Sequence, residues 1–236
     1  MSNNDGCVVA RSNEAKAIGI GMGQPYFQAR GLLERHGGVV FSSNFTLYGD
    51  LSRRVMTTLR SQVEEIEVYS IDEAFFNLEG YDEPLEELGQ RIRTTIRRHT
   101  GIPVSIGIAP TKTLAKIAAK LAKQYPRLNG CCYMHRPEDI RKVLSKFPLR
   151  DVWGIGRQAQ KKLLPSGVVT AWDFSQRLPE FAKNLLNKPG LQTWQELNGY
   201  DCIDISERAE RQSISQSRTF ERGITDLATL EKALAD

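Results

Sequence analysis

Two adjacent carboxylates, Asp72 and Glu73, lie in the run Tyr69-Ser70-Ile71-Asp72-Glu73-Ala74-Phe75. Carboxylate oxygens are hard donors, suited to metal ions that take oxygen ligands. The flanking β-like runs, 65–70 and 73–78, predict a hairpin that presents both acids at its turn. Neighbouring residues of a regular strand face opposite ways, so both acids can serve one metal site only if the backbone turns or bulges there.

The charge pattern around this motif is sorted by sign. No Lys or Arg lies between Arg60 and Arg91, a stretch that holds Glu64, Glu65, Glu67, Asp72, Glu73 and five further acids. Between Glu87 and Glu138 the pattern inverts, with ten basic residues and no acid. The overall charge of +4 conceals this division. It suits a cation site beside a phosphate-binding surface, because attraction to a polyanion follows local fields rather than totals.

Within the basic block, Thr111 to Gln124 predicts a helix with Leu114, Ile117, Ala118 and Leu121 on its core stripe. Lys112, Lys116, Lys120 and Lys123 fall on another stripe at spacings of four, four and three. Like charges at this spacing repel by a few tenths of a kcal/mol per pair, a cost that a bound polyanion would relieve. A solvated lysine face is the plainer alternative.

The elements that must position these groups follow from periodicity and punctuation. Gly6 to Arg11 predicts a strand and Glu14 to Ile18 a short helix. Gly19, Gly21 and Gly23 predict a loop that lacks the surroundings of a dinucleotide fingerprint. Helices are expected over 25–36 and 44–62, with a strand at 39–42 between them. Leu85, Leu88, Ile92 and Ile96 mark another amphipathic helix. Residues 103–109 and 130–134 predict two further strands, and 137–147 a helix. Beyond Asp151 the texture is helical, with short helices over 171–200 whose Trp172, Phe174, Phe181 and Trp194 form a core. From Asp201 the chain reads as polar and extended, and 227–234 begins an amphipathic helix.

Val152-Trp153-Gly154-Ile155-Gly156 precedes a basic helix over 157–164 that contains Lys161 and Lys162. A turn of this kind exposes backbone N–H groups at a helix start, suited to a DNA phosphate without reading bases. Cys7, Cys131, Cys132 and Cys202 lack CxxC spacing, so reduced structural thiols are expected rather than zinc ligands or a disulfide framework. The scattered His36, His99 and His135 give no nucleophile arrangement. No apolar run approaches the roughly 20 residues needed to span a bilayer, so no membrane partner and a cytoplasmic location are expected.

Taken in order, four segments resemble the Y-family translesion DNA polymerases, and specifically their UmuC type. They are Ser2 to Arg11; Tyr69 to Phe75; Gly107-Ile108-Ala109 followed by Thr111 to Lys116; and Val152 to Gly156. The resemblance spans essentially the whole chain. It implies an α+β fold, a mixed α/β palm sheet with helices, followed by a small all-α helix-hairpin-helix thumb. The palm would cover 1–150 with a fingers segment at about 12–62, the thumb 151–205, and a linker and the start of a little finger 206–236. The implied catalytic and metal residues are Asp72 and Glu73, with two Mg2+ ions in an intact site. Lys16 and Lys123 match triphosphate-binding positions. Gly154, Ile155, Gly156, Lys161, Lys162, Lys112 and Lys116 are assigned to the DNA backbone.

Implied partners are primed damaged DNA, deoxynucleoside triphosphates, an accessory UmuD-type subunit, a recombinase filament and a sliding clamp. The family places a further strand with an aspartate before Ser2. Its loss should slow this chain at least about a hundredfold, by analogy with removal of one preorganised electrostatic group. Asp5 is a poor substitute for that ligand. The competing readings are a noncatalytic damaged-DNA-binding or partner-binding module and a cyclase-like palm.

Overall fold

The structure is a computed structural model that describes residues 6–205, 213 and 223–235. Asp5, and most of the expected linker between Ser206 and Arg222, lie outside the described residues. The chain divides into two units, Met1–Leu47 with Ala209–Asp236, and Tyr48–Arg208.

In the first unit, Ser12 caps α1 (Asn13–Ala17) by accepting the Ala15 amide at 3.2 Å. Gly19, at a φ of 91°, ends this turn. Helix α2 (Tyr26–Arg35) buries Ala29 and Leu33 against Val8 and Ile20, a small separate core. The strand expected over Gly6 to Arg11 is reduced to one bridge, Cys7 to Pro25. Its partner is a glycine-rich loop closing on a proline, which has no N–H to extend a ladder. The strand expected at 39–42 is also absent. Val39 and Phe41 are 72% and 76% exposed, so they lack the half-buried pleated surface that favours strand residues.

Helix α3 (Phe45–Arg60), whose residues from Tyr48 belong to the second unit, buries Met56 and Leu59. It leads into the hairpin of β1 (Ile66–Val68) and β2 (Ala74–Phe76), paired antiparallel with Val68 opposite Ala74. Helix α4 (Leu85–Thr100) buries Leu88, Ile92 and Ile96 beneath the hairpin and stops at Gly101, left-handed at a φ of 74°. Strand β3 (Ile106–Ile108), helix α5 (Lys112–Gln124) and strand β4 (Cys131–Tyr133) make a parallel crossover unit. Among the described residues the expected mixed sheet takes the form of two two-stranded ladders, one antiparallel and one parallel. They join through side chains, since Ile66, Val68, Ala74 and Phe76 pack on the same core as Ile106, Ile108 and Cys131.

Gly107 brings α5 directly onto β3: a Cβ there would stand 2.1 Å from the Ala115 carbonyl oxygen. The opposite side of α5 is built into a second core. Leu114, Ile117 and Ala118 pack with residues of α6 (Pro137–Leu144), α7 (Arg157–Leu163), α8 (Ala171–Ser175) and α9 (Pro179–Leu197). The short helices expected over 171–200 thus become one short helix and one long helix broken at Asn187, just before Lys188 and Pro189. Helix α10 (Leu227–Ala235) belongs to the first unit, and Asp226 accepts the Thr229 amide at its start.

Candidate metal centre

The five residues between β1 and β2 leave the pleat as the adjacent acids require. The Tyr69 and Ser70 amides both donate to the Glu73 carbonyl at 3.0 Å, which folds the turn back on itself. The Ser70 hydroxyl donates to Asp72 Oδ1 at 2.7 Å and accepts the Asp72 amide at 3.3 Å. On α3, Ser52 donates to the Ile71 carbonyl and ties the turn down. Asp72 and Glu73 are both exposed at this turn, but their immediate partners differ. Asp72 is held by Ser70, whereas Glu73 receives Lys116 Nζ at 2.9 Å on Oε1 and 3.0 Å on Oε2.

Lys116 is packed as well as paired. Its ammonium lies 4.6 Å from the centre of the Tyr69 ring and 5.0 Å from that of Trp153. Trp153 Nε1 donates to the Tyr69 hydroxyl at 3.1 Å, and the two rings meet edge to face at 5.3 Å. Phe75 completes the group, with its ring 5.7 Å from Trp153. Trp153 enters the sequence reading only as part of a glycine turn. Its separation of 84 residues from Tyr69 explains why pattern alone misses the contact.

The lysine stripe exists, and acids answer most of it. Lys112 lies 3.6 Å from Glu67 and 3.7 Å from Asp201, and Lys120 is 3.0 Å from Asp151. The repulsion among these lysines is therefore offset inside the chain, without a polyanion. Lys123 is exposed and has no ionic partner among the described residues. Lys16, in the other unit, is exposed and donates to Asn13 Oδ1 at 3.3 Å.

At the glycine turn, Gly154 adopts a φ of 85°, and a Cβ on it would stand 2.5 Å from Thr193 Oγ1. Neither the Gly154 nor the Gly156 N–H has an acceptor among the described residues. Ile155 does not share that freedom: its side chain is buried in the core and its amide donates to the Val152 carbonyl. Its part is to anchor the turn. Lys161 is exposed, and Lys162 donates to the Leu185 carbonyl at 3.3 Å.

Glu196 is a residue the sequence reading missed. It is fully buried on α9, where Oε2 accepts the Thr113 amide at 2.8 Å and Oε1 accepts the Cys202 and Ile203 amides at 3.0 and 3.2 Å. A carboxylate at the start of α5 complements the positive end of the helix dipole. The available signal is one acid on the apolar side of a helix, beside Thr193 and Leu197.

Asp72 and Glu73 offer the hard oxygens that a divalent cation takes, and Ser70 orients one of them. Among the described residues no cluster of three His, Cys, Asp or Glu side chains adds to them. The donor set therefore fits Mg2+ in kind, as a two-carboxylate arrangement.

Comparison with known proteins adds an independent line. Residues 1–120 match the impB/mucB/samB family, and residues 137–168 match the HHH motif of the IMS family. Protein UmuC of Salmonella typhimurium is 42% identical over 238 residues, covering 99% of this chain and 56% of the relative. DNA polymerase IV of Treponema denticola is 28% identical over 233 residues, covering 97% and 57%. The insertion ternary complex of Dbh DNA polymerase superposes with a TM-score of 0.68 at 27% identity, over 81% of this chain and 56% of that one. The chain spans about half the length of the curated relatives it matches.

Proposed function

Because the chain belongs to the impB/mucB/samB family, the UmuC type of Y-family polymerase, we propose that it carries the palm and thumb of a translesion DNA polymerase. The substrates are primed damaged DNA and deoxynucleoside triphosphates. Residues 1–150 serve as palm with a fingers insertion at about 12–62, and 151–205 as thumb. The segment 206–236 serves as a linker and the start of a little finger. The observation that carries this reading is the Asp72-Glu73 turn, folded by two amides onto the Glu73 carbonyl and faced by a lysine of α5.

When bound, divalent ions supply charge stabilisation to the attacking 3′-oxygen and the departing pyrophosphate. Asp72 and Glu73 would hold them. The Ser70 hydroxyl occupies one oxygen of Asp72 and leaves the other for ligation. By the family resemblance Lys16 and Lys123 are each proposed as triphosphate contacts, through charge-assisted hydrogen bonds. The Gly154 and Gly156 amides, with Lys161 and Lys162, receive a DNA phosphate. Lys112 and Lys116, first assigned to the DNA backbone, contribute less there, since their charges already answer Glu67, Asp201 and Glu73. An accessory UmuD-type subunit, a recombinase filament and a sliding clamp complete the proposed partners.

Single-nucleotide incorporation on a primed, damaged template tests this function. Incorporation should require Mg2+ and fall by about a hundredfold or more in Asp72→Asn, the scale of losing a preorganised charge at a reacting centre. Incorporation indifferent to that substitution contradicts the assignment.

A further inference from the structure

We infer that Lys116 is a positioning residue whose ammonium is the resident counter-ion of Glu73: a divalent cation must displace it, and the Tyr69 and Trp153 rings retain it afterwards. This rests on the reading of Asp72 and Glu73 as the metal site. The ammonium makes two separable kinds of contact. One is the pair of charge-assisted hydrogen bonds to both oxygens of Glu73. The other is the approach to two ring faces, which an arriving cation does not contest.

The surroundings favour retention over release to water. The Lys116 side chain is 22% exposed, against 46% for Glu73. Its backbone is rooted beside the buried Ile117 and Ala118. The rings are fixed by their own hydrogen bond and edge-to-face packing. Displacement therefore costs the carboxylate contact alone. The same arrangement holds Glu73 oriented before any ion arrives, and it sets a threshold that a weakly held cation does not pass. Because Trp153 belongs to the glycine turn proposed to receive DNA, the cage also joins that turn to the acid turn.

The test is Mn2+ binding to the 236-residue chain, followed by electron paramagnetic resonance of the free ion with no nucleotide or DNA present. Lys116→Met should bind Mn2+ roughly threefold or more tightly than the wild type, the scale of removing a partly exposed ion-pair competitor. Lys116→Gln, polar and uncharged, should shift the same way and serves as the second variant. Lys116→Arg should bind no more tightly than wild type, because its guanidinium keeps both the carboxylate and the ring contacts. Unchanged affinity in Met and Gln variants, with binding lost in an Asp72→Ala/Glu73→Ala double variant, overturns the counter-ion role and leaves the metal site standing. Binding that survives the double variant removes the metal site and this inference together.

Discussion

At Glu73 one carboxylate already holds both of its oxygens against a lysine, while its neighbour Asp72 turns to a serine only two residues away. Adjacency in sequence put the two acids on one turn but did not give them the same partners. The turn was legible because adjacent acids on a strand can meet one ion only by leaving the pleat. The Lys116 and Trp153 contacts were not, since they span 43 and 84 residues and depend on how α5 and the glycine turn are packed. A second residue-scale consequence concerns Cys131, whose thiol is pushed up to about 11, chiefly by burial and further by the negative field of Glu86. The folded state keeps this thiol neutral, whereas the unfolded chain ionises it near its ordinary value of about 8.5. Its contribution to stability is therefore complete below that value and is lost as pH rises toward about 11. Denaturant midpoints measured across this window should fall with pH, and Cys131→Ala should flatten that part of the slope.

At the scale of elements, α5 is the part on which the site depends. Gly107 lets it lie on β3, and Glu196 holds its first turn from α9. Gly107→Ala would drive a methyl group into backbone atoms of α5 and should cost about 3 kcal/mol or more, because neither partner is a flexible side-chain end. Its signature is a lowered Tm together with weakened metal binding at the acid turn. Glu196→Ala leaves the Thr113, Cys202 and Ile203 amides without their acceptor. It should cost about 3 kcal/mol or more by the same measurement, while Glu196→Gln retains one carbonyl acceptor and should cost less. Most helices were legible from their apolar spacing. The strands at 6–11 and 39–42 were not formed, because β-forming residues make a strand only where a partner edge and a buried face exist. Pro25 curtails the first, and exposure of Val39 and Phe41 removes the buried face of the second.

Over the whole molecule, the sorted charge of the sequence becomes paired charge within residues 48–205. Glu67 and Glu73 of the acidic block meet Lys112 and Lys116 of the basic block that follows it, while Asp201 and Asp151, outside both blocks, meet Lys112 and Lys120. The sequence reading located both blocks, and their link to phosphate chemistry belongs to the proposed function. It could not reveal that three of the four lysines already have acidic partners, because pairing is a property of packing and not of composition. The α+β architecture and helical thumb emerged as expected, while the division of the palm strands into two ladders awaited the fold.

Anomalous diffraction from crystals soaked in Mn2+ with a deoxynucleoside triphosphate tests the central claim most directly. The account predicts a peak at roughly 2.0–2.2 Å from carboxylate oxygens of Asp72 and Glu73, the range for small hard dications, with Lys116 Nζ withdrawn from Glu73. Manganese bound elsewhere, with Asp72 still on Ser70 and Glu73 still on Lys116, would contradict it.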